Sequence, residues 1–177
     1  MKKIAETERL LLRELLASDE LGMFDLDSDP EVHKYLGNNP VESLDEIREV
    51  IKFIQKQYEE NGVGRWAVIR KSDNEFLGWA GIKYFKTPIN NRVNFYELGY
   101  RFQQKYWGMG YATEAAKACL NYAFDQLNIN EVIAMTDIEN KNSEKVLLKS
   151  GFKLIETFDD NGEQTNWFSI QKSDCQK

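Results

Sequence analysis

Two glycines stand two positions apart in the run Lys105-Tyr106-Trp107-Gly108-Met109-Gly110-Tyr111-Ala112-Thr113, between a segment that alternates like a strand and one that repeats like a helix. A helix start carries about half a positive charge and several unpaired N–H groups, so a loop that brings bare backbone to that point binds phosphate. Gly108 and Gly110 supply the bare backbone, Tyr111, Ala112 and Thr113 open the helix with their amides, and Lys105 adds a charge from the loop. No Gly-Lys-Ser/Thr is present, which excludes a Walker A loop, and Thr113 takes the third glycine position of a dinucleotide fingerprint. Asp137 falls where a ribose-binding acid would stand, yet five residues separate Phe102 from Gly108 and only 40 follow Asp137, too few to finish a Rossmann sheet. A turn whose glycines serve only its own geometry stays open on spacing alone.

A second segment bears on that choice. Asn140-Lys141-Asn142-Ser143 precedes Val146-Leu147-Leu148-Lys149-Ser150-Gly151, so an amide and a hydroxyl stand at the start of a short helix that Gly151 closes. Taken alone, Asn140, Asn142 and Ser143 are capping residues; next to the glycine loop they form a constellation of two helix starts. Glu97 puts one carboxylate in mid-strand. Of the four tryptophans, Trp66, Trp79 and Trp167 read as core and Trp107 as a residue placed to touch a ligand.

The elements that must position these residues follow from periodicity. Arg9 to Arg13 reads as a first strand, and a polar helical region from Ser18 through Leu36 is interrupted at Asp29-Pro30. Ser43-Leu44-Asp45-Glu46 is a capping-box sequence, after which Ile47, Val50, Ile51, Ile54 and Tyr58 keep helical spacing until Asn61-Gly62, a stripe that belongs on a sheet. Trp66–Ile69 and Phe76–Ile82 form a hairpin whose second strand holds Gly78 and Gly81, a sign of a bulge or of closely approaching backbone. From Phe95 to Phe102 the chain alternates, with Tyr96, Leu98, Tyr100 and Phe102 on one face and Phe95, Glu97, Gly99 and Arg101 on the other. Ala116, Cys119, Leu120, Ala123, Phe124 and Leu127 mark the best-patterned helix. Val132 to Thr136 is a short strand, and two final strands, Phe152 to Phe158 and Asn166 to Ile170, flank the turn at 159–162. The sum is a mixed α/β sheet: an antiparallel meander, then a strand-helix-strand crossover that demands a parallel pair.

Length and charge bound the rest. The 177 residues fit one domain, 1–177, able to bury roughly two thirds of its unfolded surface. A net charge of −6 argues against nucleic-acid backbones and anionic membranes, and no segment reaches the ~18 apolar residues of a span. The N-terminus meets charge before any apolar run forms, so neither secretion nor membrane insertion is expected. Cys119 and Cys175 imply no disulfide framework, and a reducing cytoplasm is the expected setting. His33 is the only histidine, which excludes multi-histidine metal sites; no metal is expected, and His33 itself reads as a solvated helix position.

On the residues Glu97-Leu98-Gly99-Tyr100, Tyr106 to Ala115, Asn140-x-x-Ser143 and Lys149-Ser150-Gly151-Phe152, with Leu10, Leu12 and Arg13 near the start, the chain resembles the GNAT acetyltransferase superfamily, and within it the branch of ribosomal-protein N-terminal (Rim-type) acetyltransferases. The resemblance implies a central, mostly antiparallel sheet with helices on both faces and an acetyl-CoA site where two neighbouring parallel strands splay apart. It implies that Phe102 pairs its backbone with the pantetheine arm, that Gly108, Met109, Gly110, Tyr111, Ala112 and Thr113 take the pyrophosphate, and that Asn140 and Ser143 lie along the arm near the thioester. Lys105 stands where Gln or Arg is usual, and Leu147 where many members carry a tyrosine acid, which makes Ser143 or water the default proton donor.

The reaction so implied is direct attack of an amine, a protein N-terminus or a small molecule, on the acetyl carbonyl in a ternary complex, since no nucleophile stands beside a base. Glu97 is the first choice for removing the amine's proton; its alternative is a carboxylate merely paired with Arg101 or Lys83. The acceptor side is expected in residues 18–62, with Asp29, Glu31 and Glu42 among its acids. A homodimer is compatible with all of this. The rival from another class is a non-catalytic acyl-CoA-binding regulatory module.

Overall fold

The computed structural model describes residues 2–175; Met1, Gln176 and Lys177 lie outside the described residues. The N-terminal strands are β1 (Lys3–Glu6) and β2 (Leu10–Glu14), followed by the helices α1 (Glu20–Asp27), α2 (Pro30–His33) and α3 (Leu44–Asn61). The centre of the chain forms β3 (Arg65–Arg70), β4 (Glu75–Phe85), β5 (Phe95–Phe102) and α4 (Tyr111–Asn121). Then come β6 (Glu131–Asp137), α5 (Lys141–Lys149), β7 (Lys153–Asp160) and β8 (Glu163–Gln171). The strands make one eight-stranded sheet in the order β1-β2-β3-β4-β5-β6-β8-β7, antiparallel except for β5 and β6. β1 is the element that periodicity missed: it is a short edge strand with Lys3 and Glu6 at its ends, a pattern that keeps an edge from pairing with other chains.

Each face of the sheet buries one set of the alternating residues. Leu10 and Leu12 of β2, Trp66 and Val68 of β3, and Leu98 and Phe102 of β5 meet Ala115, Ala116, Cys119 and Leu120 of α4. The alanines let that helix lie close to the sheet. On the other face Ala67 and Ile69 meet Met23 and Leu26 of α1 and Ile47, Ile51 and Ile54 of α3. Each of these larger side chains contributes about 1.5–3 kcal/mol by leaving water.

The local signals act as their chemistry requires. Ser43 Oγ accepts the Glu46 amide, while the Glu46 carboxylate takes the Ser43 hydroxyl at 2.8 Å and the Glu42 amide at 3.3 Å, so the capping box closes one residue early. Gly62, at φ 71°, ends α3. Asp29 caps α2 with Pro30 at its first position, which is how Asp29-Pro30 interrupts the helical region. After Asn121 the helical path widens into a π turn, Tyr122–Gln126, which carries Ala123 and Phe124 into the core.

Candidate active site

The functional geometry starts from a defect in the sheet. β5 and β6 run parallel but are in register at a single pair, Glu97 with Ile133. Beyond it the strands part. Gly99, Tyr100, Arg101 and Phe102 keep their β4 partners, Gly81, Ala80, Trp79 and Gly78, and have none on the β6 side among the described residues. Both strands end at the same edge, so α4 and α5 open there side by side. Gly78 carries the expected bulge: the register of β3 with β4 shifts between Val68 and Ile69, and a Cβ on Gly78 would run into the Arg101 carbonyl.

The glycine loop is shaped as an anion cradle. Gly108 and Gly110 have φ of 77° and 81°, a region that favours glycine, and a Cβ on Gly108 would meet nothing within 4 Å. Gly110 is the N-cap of α4, so the amides of its first turn, from Tyr111 to Thr113, have no partner within the helix. These residues fit a pyrophosphate. Lys105 does not join them: its ammonium reaches Glu75 at 3.3 Å and lies 4.9 Å from the Tyr106 ring, because the 3-10 turn Gln104–Tyr106 directs it away from the loop. The Phe102 carbonyl accepts the Trp107 indole N–H at 2.8 Å, so Trp107, half exposed, fixes the end of β5.

At the second helix start, Asn140 Oδ1 accepts the Ser143 amide at 3.1 Å. The Tyr100 hydroxyl crosses the gap from β5 and lies 3.0 Å from both the carbonyl and the Oγ of Ser143. Burial pushes the Tyr100 phenol up, so it stays protonated across the working pH range. Tyr100 was not among the expected site residues; its signal was its place three positions past the strand carboxylate, at the end of Glu97-Leu98-Gly99-Tyr100. Leu147 is buried in the core beneath α4 and presents no polar group.

On the opposite face Glu97 is paired, with neither Arg101 nor Lys83 but with Arg65 of β3. The Arg65 guanidinium reaches it by lying over Gly99, and also donates to the Gly81 carbonyl at 2.9 Å and the Glu97 carbonyl at 3.2 Å. A Cβ at Gly99 would press on that guanidinium, at 2.7 Å from Nη2. Glu97 Oε2 holds the guanidinium, and Oε1 has no hydrogen bond among the described residues. Arg101 pairs instead with Asp27 of α1 at 2.5 Å, and both guanidiniums lie 5.2 Å from the Trp79 ring centre. Lys83, opposite Glu97, has its ammonium pushed down by burial and by Arg65.

His33 corrects the reading of a solvated helix position. It is buried, with Nε2 3.8 Å from Asp27 and neither ring nitrogen hydrogen-bonded among the described residues, because the single turn of α2 folds back against the end of α1. Burial, and then the Arg101 charge, push its imidazole below the usual range. Of the other acids in this region, Asp29 caps α2, while Glu31 and Glu42 are exposed.

The sequence profile of the acetyltransferase (GNAT) domain matches residues 9–153. The chain belongs to the GNAT acetyltransferase family. Among its GNAT relatives, the uncharacterised N-acetyltransferase p20 of Bacillus licheniformis is 33% identical over 147 residues, 83% of this chain and 80% of p20. RimL, a ribosomal alpha-N-protein acetyltransferase solved with coenzyme A, superposes with a TM-score of 0.80 over 96% of this chain and 98% of its own, at 18% identity. A Vibrio cholerae spermidine N-acetyltransferase solved with CoA and spermine gives 0.76 over 95% and 98%, at 22% identity. The last two are likenesses of fold. They include a Rim-type and a spermidine enzyme alike, and what is shown for this chain is the GNAT family as a whole. The chain is an acetyltransferase, and the GNAT sheet, with one parallel pair in a mostly antiparallel order, is the one expected.

Proposed function

We propose that the chain transfers an acetyl group from acetyl-CoA to a primary amine by direct attack in a ternary complex. The observation that carries this reading is the split between β5 and β6, flanked at one edge by the starts of α4 and α5. Gly108 to Thr113 would hold the pyrophosphate, and Asn140 and Ser143 would line the arm. Acetyl-CoA supplies the activated acyl carbon; the amine nitrogen forms the new bond to it as the C–S bond breaks and the thiol leaves.

Glu97 takes the amine's proton through its free Oε1, directly or through water, while Arg65 fixes the orientation of the carboxylate. Ser143, its hydroxyl held by Tyr100, or a water passes a proton to the leaving sulfur and takes one back from solvent. Glu97→Gln with unchanged turnover and an unchanged pH profile would remove Glu97 from the mechanism.

The acceptor is read from charge. Each buried carboxylate among the described residues already has an arginine: Asp19 has Arg13, Asp27 has Arg101 and Glu97 has Arg65. A site with its buried acids so matched suits one amine, such as a protein N-terminus or a small monoamine, better than a polycation. The two free cysteines, one buried in the core, suit a reducing cytoplasm. Incubation with acetyl-CoA and a panel of N-terminal peptides, polyamines and aminoglycosides, followed by thiol release, tests the reading. Transfer to none of them would count against it, and preferred transfer to spermidine would overturn the acceptor class.

A further inference from the structure

The turn between β1 and β2 touches the cradle from behind. Arg9 Nη1 donates to the Met109 carbonyl at 3.1 Å, and its guanidinium carbon lies 4.4 Å from the centre of the Tyr111 ring. The same guanidinium grips Glu114, with Nε 2.7 Å and Nη2 2.6 Å from Oε2. The Thr7 hydroxyl at 2.5 Å and the Arg9 amide at 3.2 Å cover Oε1. Thus a segment more than a hundred residues upstream supplies every partner, among the described residues, of one carboxylate in the first turn of α4.

Two consequences follow from elementary geometry and charge. In a planar trans peptide the N–H points opposite to the preceding carbonyl, so drawing the Met109 carbonyl toward Arg9 turns the Gly110 N–H to the other side of the loop. Glu114 stands at the helix start, where an incoming anion would meet its negative charge at close range. Burial would push Glu114 up, but the bonds from Thr7 and Arg9 outweigh it and hold the carboxyl below its usual range.

We infer that Arg9 and Thr7 are positioning residues for the pyrophosphate of coenzyme A: they aim the Gly110 amide into the cradle and cancel the Glu114 charge that would repel the ligand. This rests on the CoA reading of the loop. It makes the β1–β2 turn part of the ligand-binding machinery although it need not touch the ligand.

Isothermal titration of coenzyme A into the wild-type, Arg9→Met, Glu114→Gln and double-variant proteins tests it. Arg9→Met should weaken coenzyme A about tenfold, the scale of one charge-assisted contact. Adding Glu114→Gln to Arg9→Met should recover most of that loss, because the repelling charge is gone. Pantetheine, which lacks the pyrophosphate, should bind wild type and Arg9→Met with the same Kd. A brace with a purely structural role would give no rescue and would weaken pantetheine as well, and either result overturns the inference, as does an unchanged Kd in Arg9→Met. If the wild-type protein fails to bind coenzyme A at all, the CoA reading of the loop is what fails.

Discussion

Replacing Arg65 with methionine should unfold this protein more readily than any comparable change on the sheet surface. The side chains of Arg65 and Glu97 are 13% and 9% exposed, so the pair gets little screening from water. Methionine keeps the length of the stem and removes the guanidinium, which leaves the Glu97 carboxylate without its donor and takes one bond from the Gly81 carbonyl. Breaking a buried pair from one side costs about 3–5 kcal/mol, and the lost contact with the Trp79 ring adds roughly 0.5–1 kcal/mol. Against a total stability of roughly 5–15 kcal/mol that is a large share. With a urea dependence of ~1–3 kcal/mol per molar, the unfolding midpoint should fall by about 2 M. Adding Glu97→Met removes the stranded charge and should restore most of the loss. Equilibrium unfolding in urea reads both effects. A midpoint shift below ~0.5 M, or a double variant no more stable than Arg65→Met, would refute the account of the pair.

Four further outcomes are expected. Tyr100→Phe should lower kcat about 5- to 10-fold, the size of roughly 1–1.5 kcal/mol for one lost hydrogen bond, with the limbs of the pH profile in place; an unchanged kcat removes Tyr100 from the site. His33, the only histidine, is neutral when folded at a pH where the unfolded chain binds a proton, so stability should fall as pH drops below about 6.5; His33→Leu should flatten the urea midpoint between pH 7.5 and 5.5, and an unchanged slope contradicts this. Gly78→Ala should destabilise by more than ~2 kcal/mol, because its Cβ meets the Arg101 carbonyl, and a melting temperature equal to wild type would show that the bulge yields. Gly110→Trp, at φ 81°, should abolish coenzyme A binding in titration while retaining the fold by circular dichroism.

Where one periodicity dominated, the sequence was legible. The stripe on α3, the alternation of β5 and the paired helix starts at Gly110 and Asn140 need only local rules, whereas the split between β5 and β6 was expected only through the family resemblance. Contacts between distant segments left no such trace. Arg65 reaches Glu97 across the intervening strand β4 by lying over Gly99, and Arg9 reaches Glu114 from 105 residues upstream. Lys105 shows the converse, since a charge adjacent in sequence to the loop is turned away by one 3-10 turn. β1 was missed because a four-residue edge strand with charged ends has too little pattern to read.

The inward edge of β5 has a meaning for folding as well as for ligands. Past Glu97 its backbone forms a sheet border inside the molecule, and such a border templates any extended chain that meets it. The outer strand β1 is guarded by charged ends, but a guard of that kind on β5 would obstruct the very space that the split opens. Protection therefore falls to α4 and α5, which pack against β5 and β6; a chain in which they are undocked offers that border to any extended neighbour.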